Sequence, residues 1–212
     1  VVGSGRLEAD RLLAMDPGYV EEEIDGTETV EPAFGLPAKW VPENAREQAE
    51  MRGYTVVEPP DVLVTHLTEV LKAHAHEILN RQDTQSLIDR VKEKTPAVVD
   101  ELIPDLLNVG GVQKVLQNLL KEQVPILDTQ TILETLADYA GLTKDPDILT
   151  EYVRTALGRT ICQKYRDGEG NIPVLTVAPE LEQQIANAMQ STPGGIKVIL
   201  APDVTGRLLE QL

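Results

Sequence analysis

Apolar residues follow three different spacings along this chain, and the changes of spacing divide it into unlike parts. The first part mixes short apolar runs with Pro and Gly, the pattern of a small α/β region. Val1–Gly5 reads as the end of a strand entering a turn. Glu8–Met15 reads as a short amphipathic turn of helix, broken by Asp16-Pro17-Gly18. Glu21–Glu31 is acidic with little apolar content and is expected to be a solvated loop. Leu36–Val41 predicts a short strand, Asn44–Arg52 a helix capped by Gly53, and Tyr54–Val57 a further strand. Pro59-Pro60-Asp61 then opens a helix running to about Asn80. On its wheel Leu63, Leu67, Val70, Leu71, His74 and Ile78 share one face, expected to be the core side. Val62 and Thr65 form an i,i+3 pair on the opposite face.

From Thr84 to about Tyr165 the spacing is helical with short breaks. Thr84–Lys94 and Pro96–Leu107 come first, the second kinked or ended by Pro104. Val112–Val124 repeats apolar residues at i, i+3, i+4, i+7 and i+8. Asp128 or Thr129 N-caps Gln130–Ala140, and Asp145-Pro146-Asp147 starts a last long helix through Tyr165, with Leu149, Tyr152, Val153, Ala156, Leu157 and Thr160 inward. These helices predict a compact helical subdomain. After the turn Asp167–Asn171 the period changes again. Val174–Val177 reads as a strand followed by a helix from Pro179, and Val198–Leu200 as a strand followed by a helix to Leu212. Two strands do not make a stable sheet alone, so further strands are expected from elsewhere. The fold class is therefore α+β and predominantly helical, with small α/β subdomains flanking a central helical one.

Charge narrows the function. With 19 Lys and Arg against 35 Asp and Glu, the net charge is −16. That argues against nucleic acid and against an anionic membrane surface, both of which are bound through clustered basic residues. No apolar run is long enough to span a bilayer, and no signal-peptide pattern is present. The chain opens on Val1, so it is expected to be cut from a longer protein. A single cysteine, Cys162, permits no internal disulfide and reads as an incidental thiol.

Catalytic patterns come close only once. His76-Glu77-Ile78-Leu79-Asn80 has Asn where a zinc-protease helix needs a second His, so neither a metal nor any other cofactor is expected. His74 is expected in the core, bonded to a neighbour, and His76 exposed. The Gly-Gly and Gly-Ser-Gly stretches lack the continuation of a phosphate loop, and no Ser occupies a nucleophile elbow. Elimination favours a binding or assembly module over an enzyme. The residues that stand out are Phe34 and Trp40, the only Phe and Trp in the chain, in Thr29–Val41. Trp40 reads as core. Phe34, between Pro32 and Gly35, is either a core plug or part of a docking surface.

Long stretches in the same order, Glu31–Val41 (EPAFGLPAKWV), Thr65–Gln82, Val115–Val124 and Ile132–Tyr165, resemble the cytoplasmic part of the flagellar branch of the type III secretion export-gate family. The resemblance implies a bacterial inner-membrane protein whose cytoplasmic part is a chain of four subdomains forming a ring, a nonamer in the full-length protein. It implies docking of flagellar export chaperones with their substrates, and work with the export ATPase complex and other export-gate proteins. By this resemblance residues 1–9 and 59–78 belong to the first subdomain, 10–58 to an inserted second, 79–158 to the helical third and 159–212 to a truncated, ring-forming fourth. The family's chaperone-docking dimple falls on Glu31, Phe34 and Thr65, with Met15, Pro17, Leu36, Val57 and Val62 as apolar lining and Glu31 at the rim. The alternatives are a mainly structural ring subunit, and the export gate of a virulence-type secretion system.

Overall fold

The structure, a computed structural model, describes residues 6–174, 176–192 and 195–211. The strand end expected at Val1–Gly5 lies outside them. The chain divides into two compact units, Val1–Ile78 and Leu79–Leu212.

The first unit is built on a four-stranded antiparallel sheet of β1 (Leu12–Met15), β2 (Thr27–Val30), β3 (Pro37–Val41) and β4 (Thr55–Val57), in the order β2-β3-β1-β4. The helical turn expected over Glu8–Met15 is thus replaced by a central strand from Leu12. A four-residue apolar run fits a buried strand as well as a helix, and pairing on both edges decides for the strand. Its side chains alternate between two cores. Leu12 and Ala14 pack with Ile24, Val41, Ala49 and Tyr54. Leu13 packs on the other side with Ala38, Trp40 and Val62. The acidic run is also more than a solvated loop, since Ile24 is buried and Thr27–Val30 forms β2.

A short 3-10 turn (Glu43–Ala45) leads into α1 (Arg46–Met51), whose Ala49 joins the first core. Gly53, at φ +91°, turns the chain into β4 in a conformation that favours glycine. Helix α2 (Pro59–Ala73) follows after one residue, with Pro at its first position. This short link fixes its phase, so Pro59 and Val62 point into the unit and are buried. The core side expected from the wheel does not hold: Leu63, Leu67, Leu71 and Ile78 are about half exposed, and only Val70 of those apolar residues is partly buried. Strands of three to five residues at about 3.3 Å per residue cover only part of a helix about 22 Å long. His74 leaves helical geometry and separates α2 from α3 (Ala75–Ile78). It is exposed, with Nδ1 2.9 Å from Glu77 Oε1, whereas the wheel expects it in the core. His76, expected exposed, is only partly so.

The second unit contains α4 (Arg81–Lys94), α5 (Pro96–Leu102), α6 (Val109–Lys121), α7 (Thr129–Tyr139), α8 (Pro146–Ala156) and α9 (Gly158–Tyr165). Their boundaries follow local chemistry. Asn80 caps α4 in a capping box: its Oδ1 accepts from the Gln82 and Asp83 N–H groups, and Asp83 accepts from the Asn80 N–H. Helix α5 stops at Leu102 because Ile103, preceding Pro104, is extended. Asn108, Asp128 and Asp145 cap α6, α7 and α8. The long helix expected to Tyr165 breaks at Leu157. Of its expected inward residues, Leu149, Val153 and Leu157 are buried, while Ala156 is exposed and Tyr152 stacks on Tyr139 near the surface. Leu102, Leu116, Leu119, Ile132, Leu133 and Leu136 complete one core.

The C-terminal part carries α10 (Pro179–Ala188), β5 (Met189–Thr192), β6 (Gly195–Val198) and α11 (Pro202–Gln211). Strands β5 and β6 pair antiparallel as a hairpin. The expected strand at Val174–Val177 is absent from the described residues 174, 176 and 177, and the second strand ends at Val198. Among the described side chains from Arg166 onward none is buried, and Val174, Ile199 and Leu209 are more than half exposed.

Candidate docking site

The β2–β3 hairpin closes between Val30 and Pro37, leaving residues 31–36 as its tip. Glu31 opens the tip and organises it. Its carboxylate accepts from the Ala33 N–H at 2.8 Å and from the Phe34 N–H at 2.6 Å. Its own N–H donates to the Leu36 carbonyl at 2.8 Å, and its carbonyl accepts from the Gly35 N–H at 2.9 Å. Gly35 closes the turn at φ +72°, a left-handed conformation that side chains disfavour. Glu31 is only 2% exposed, so its carboxylate is a buried loop anchor and the rim position expected for it does not hold.

Phe34 is 63% exposed, which removes the core-plug reading of this aromatic. A Phe at the tip of an internally bonded turn has no packing reason to be there. Val30, at the end of β2, is equally exposed beside it in sequence. It was missed in the sequence because one Val at a strand end carries no signal of its own. Trp40 is buried, as expected.

The apolar lining residues divide into two groups. Met15, Val57 and Val62 share the cluster built on Leu13 and Trp40, with Val62 buried and the other two partly so. Burial of Val62 corrects its outward placement on the wheel. Leu36 and Pro17 are half-buried, and each is next in sequence to one partner of a backbone hydrogen bond. The Asp16 N–H donates to the Pro37 carbonyl at 2.9 Å, which ties the end of β1 to the base of the hairpin tip. Thr65 is exposed on α2, one turn beyond Val62. The hairpin is held at its other end by Lys39, whose Nζ lies 2.6 Å from Glu23 Oε2. Hydrogen bonding to that ammonium, then its charge, holds the Glu23 carboxyl below the usual range. The same hydrogen bond raises Lys39 above its ordinary value.

The FHIPEP family model matches residues 1–212. The chain belongs to the FHIPEP family. It is 46% identical over 211 residues to the flagellar biosynthesis protein FlhA of Bacillus subtilis, an overlap covering 100% of this chain and 31% of that protein. Among solved structures it resembles the Chlamydia pneumoniae CdsV protein, with TM-score 0.83, 29% identity and coverage of 97% of this chain and 60% of that one. It also resembles nonameric EPEC SctV-C, with TM-score 0.75, 25% identity and coverage of 100% and 65%. This FHIPEP chain therefore spans less than a third of its Bacillus relative and less than two thirds of either solved chain. Its mixed, mainly helical fold is the fold of those two structures. Among the described residues no helix is long and apolar enough to cross a membrane.

Proposed function

We propose that this chain is part of the cytoplasmic docking platform of the bacterial flagellar export apparatus. It binds export chaperones carrying their substrates, on the cytoplasmic side of the inner membrane, and has no catalytic role. The observation that carries this reading is Phe34: a large aromatic held outward by a turn whose hydrogen bonds are internal. An apolar side chain from a chaperone helix packs against Phe34, with Met15, Pro17, Leu36, Val57 and Val62 as apolar surroundings and Thr65 as a polar contact. Burying one large apolar side chain contributes roughly 1.5–3 kcal/mol. The 46% identity to a flagellar biosynthesis protein supports the flagellar branch over a virulence-type gate. The export ATPase complex and other gate proteins are further partners of the full-length protein.

Calorimetric titration with a purified flagellar chaperone–substrate complex tests this. Phe34→Ala is expected to weaken binding about 10- to 100-fold. Stability should change by less than about 0.5 kcal/mol, as for an exposed position. Unchanged binding, or an unfolded variant, removes Phe34 as a docking residue.

A second reading, a ring subunit whose partner is its own copy, draws support from the C-terminal part, where no described side chain is buried. Removing Arg159 onward from the intact cytoplasmic part should abolish association in sedimentation if that reading holds. Unchanged association removes it.

A further inference from the structure

The sheet of the first unit ends at β2, whose outer edge no strand covers among the described residues. The register decides which of its backbone groups face outward. The Asp16 N–H donates to the Pro37 carbonyl, so Pro37 and, two residues on, Lys39 turn their backbone groups toward β1. Ala38 and Trp40 then turn theirs toward β2, where they lie opposite Thr29 and Thr27. Glu28 and Val30 therefore direct their N–H and carbonyl groups to the open side. The Glu31 N–H, donating inward to the Leu36 carbonyl, is in phase with this. Edge strands are ordinarily blunted by charges, Pro, a bulge or a cover. The strand β2, Thr-Glu-Thr-Val, has neither Pro nor bulge, its one charge is Glu28, and Val30 is 62% exposed.

Glu28 sets the chemistry of what fits there. It lies opposite Lys39, but the Lys39 ammonium makes its ion pair with Glu23, 2.6 Å away, so Glu28 has no ion pair among the described residues. Exposed Glu21, Glu22 and Asp25 precede the strand, and the chain carries a net charge of −16. We propose that the free edge of β2 takes up an extended, basic polypeptide segment as a fifth strand, with Lys or Arg beside Glu28 and an aliphatic residue beside Val30. Main-chain bonds to Glu28 and Val30 hold the segment. The two side chains, two residues apart on one face of the sheet, select it. Opposite charges and paired aliphatics on neighbouring strands each add to the affinity, and the acidic surroundings favour a basic partner. The proposal stands independently of the docking reading of Phe34.

The test uses the complete cytoplasmic part of the protein, with short synthetic peptides as probes in an NMR titration. One peptide alternates Thr with Lys and Val, so that Lys and Val share a face. A second has Glu for every Lys. Two more repeat the first sequence, N-methylated either at the Lys and Val nitrogens or at the Thr nitrogens. The Lys peptide is expected to bind and to slow amide exchange at Glu28 and Val30. Of the methylated pair, one should lose affinity at least about tenfold and the other stay within about twofold, because only one edge of the peptide faces β2. Glu28→Lys should weaken the Lys peptide about three- to tenfold and strengthen the Glu peptide. Failure of the Lys peptide to bind, or undiminished binding of both methylated peptides, overturns the proposal with no variant needing to fold. Equal wild-type affinity for the Lys and Glu peptides overturns the basic preference. Protection of the Glu28 and Val30 amides that rises with protein concentration, without peptide, means that a second copy covers the edge and overturns the proposal as well.

Discussion

Replacing Leu13 by Ala should destabilise the first unit by about 3–4 kcal/mol. Leu13 sits in the central strand, opposite Trp40 on one neighbour and Val57 on the other, and is 1% exposed. It lies at the heart of the cluster that also holds Val62, with Met15 and Val57 packed against it. Removing three carbon groups at about 0.8 kcal/mol each costs about 2.4 kcal/mol, and the incompletely collapsed cavity adds roughly another 1. Collapse is restricted because strands hold the site on both edges and Val62 of α2 lies over it. Trp40 is the only tryptophan and belongs to the same cluster, so its emission in a urea titration reports on this site. With an m-value of about 2 kcal/mol per molar, the midpoint should fall by about 1.5–2 M. A fall of less than about 0.5 M would refute the reasoning, because it would mean that Leu13 is not close-packed between β3, β4 and α2.

Two further outcomes follow from local chemistry. Asn80→Ala removes the capping box of α4 and should cost about 1 kcal/mol, read as a lower melting temperature of the helical signal; an unchanged melt would show that the cap is dispensable. Glu23→Gln tests the pair with Lys39. The depressed Glu23 carboxyl contributes stability above its unfolded value, near 4.5, and loses it as pH falls through the lower folded value. The raised Lys39 contributes below its unfolded value and loses it as pH rises through the folded one. Wild type should therefore melt above Glu23→Gln at neutral pH and converge with it in acid, with the gap shrinking in high salt; a gap that persists in acid contradicts the pairing.

Legibility in the sequence varied with how local the cause was. Helices α4, α6, α7 and α8 were readable because their apolar repeats, and for α7 and α8 the caps Asp128 and Asp145, are encoded within a few residues. Asn80 and Asn108 still moved two starts forward by three residues. Leu12–Met15 misread as helix because only pairing with β3 and β4, distant in sequence, distinguishes a buried strand from a helical turn. The wheel of α2 misplaced both faces: Leu63, Leu67 and Leu71 are about half exposed, and of the opposite pair Val62 is buried while Thr65 is exposed. Periodicity defines faces, while the one-residue link from β4 sets which of them meets the sheet. Phe34 was singled out by its Pro/Gly setting, while the turn bonds of Glu31 beside it are displayed by no spacing. Glu31 was placed at the rim by resemblance alone; its burial comes from a turn bonded to residues 33–36.

Photo-crosslinking from position 34 tests the docking role most directly. A benzoyl-phenylalanine placed there in the complete cytoplasmic part should capture the chaperone of an added chaperone–substrate complex, and excess unlabelled complex should compete the product away. Capture of neighbouring copies of the same chain alone, or of nothing, would contradict docking at Phe34.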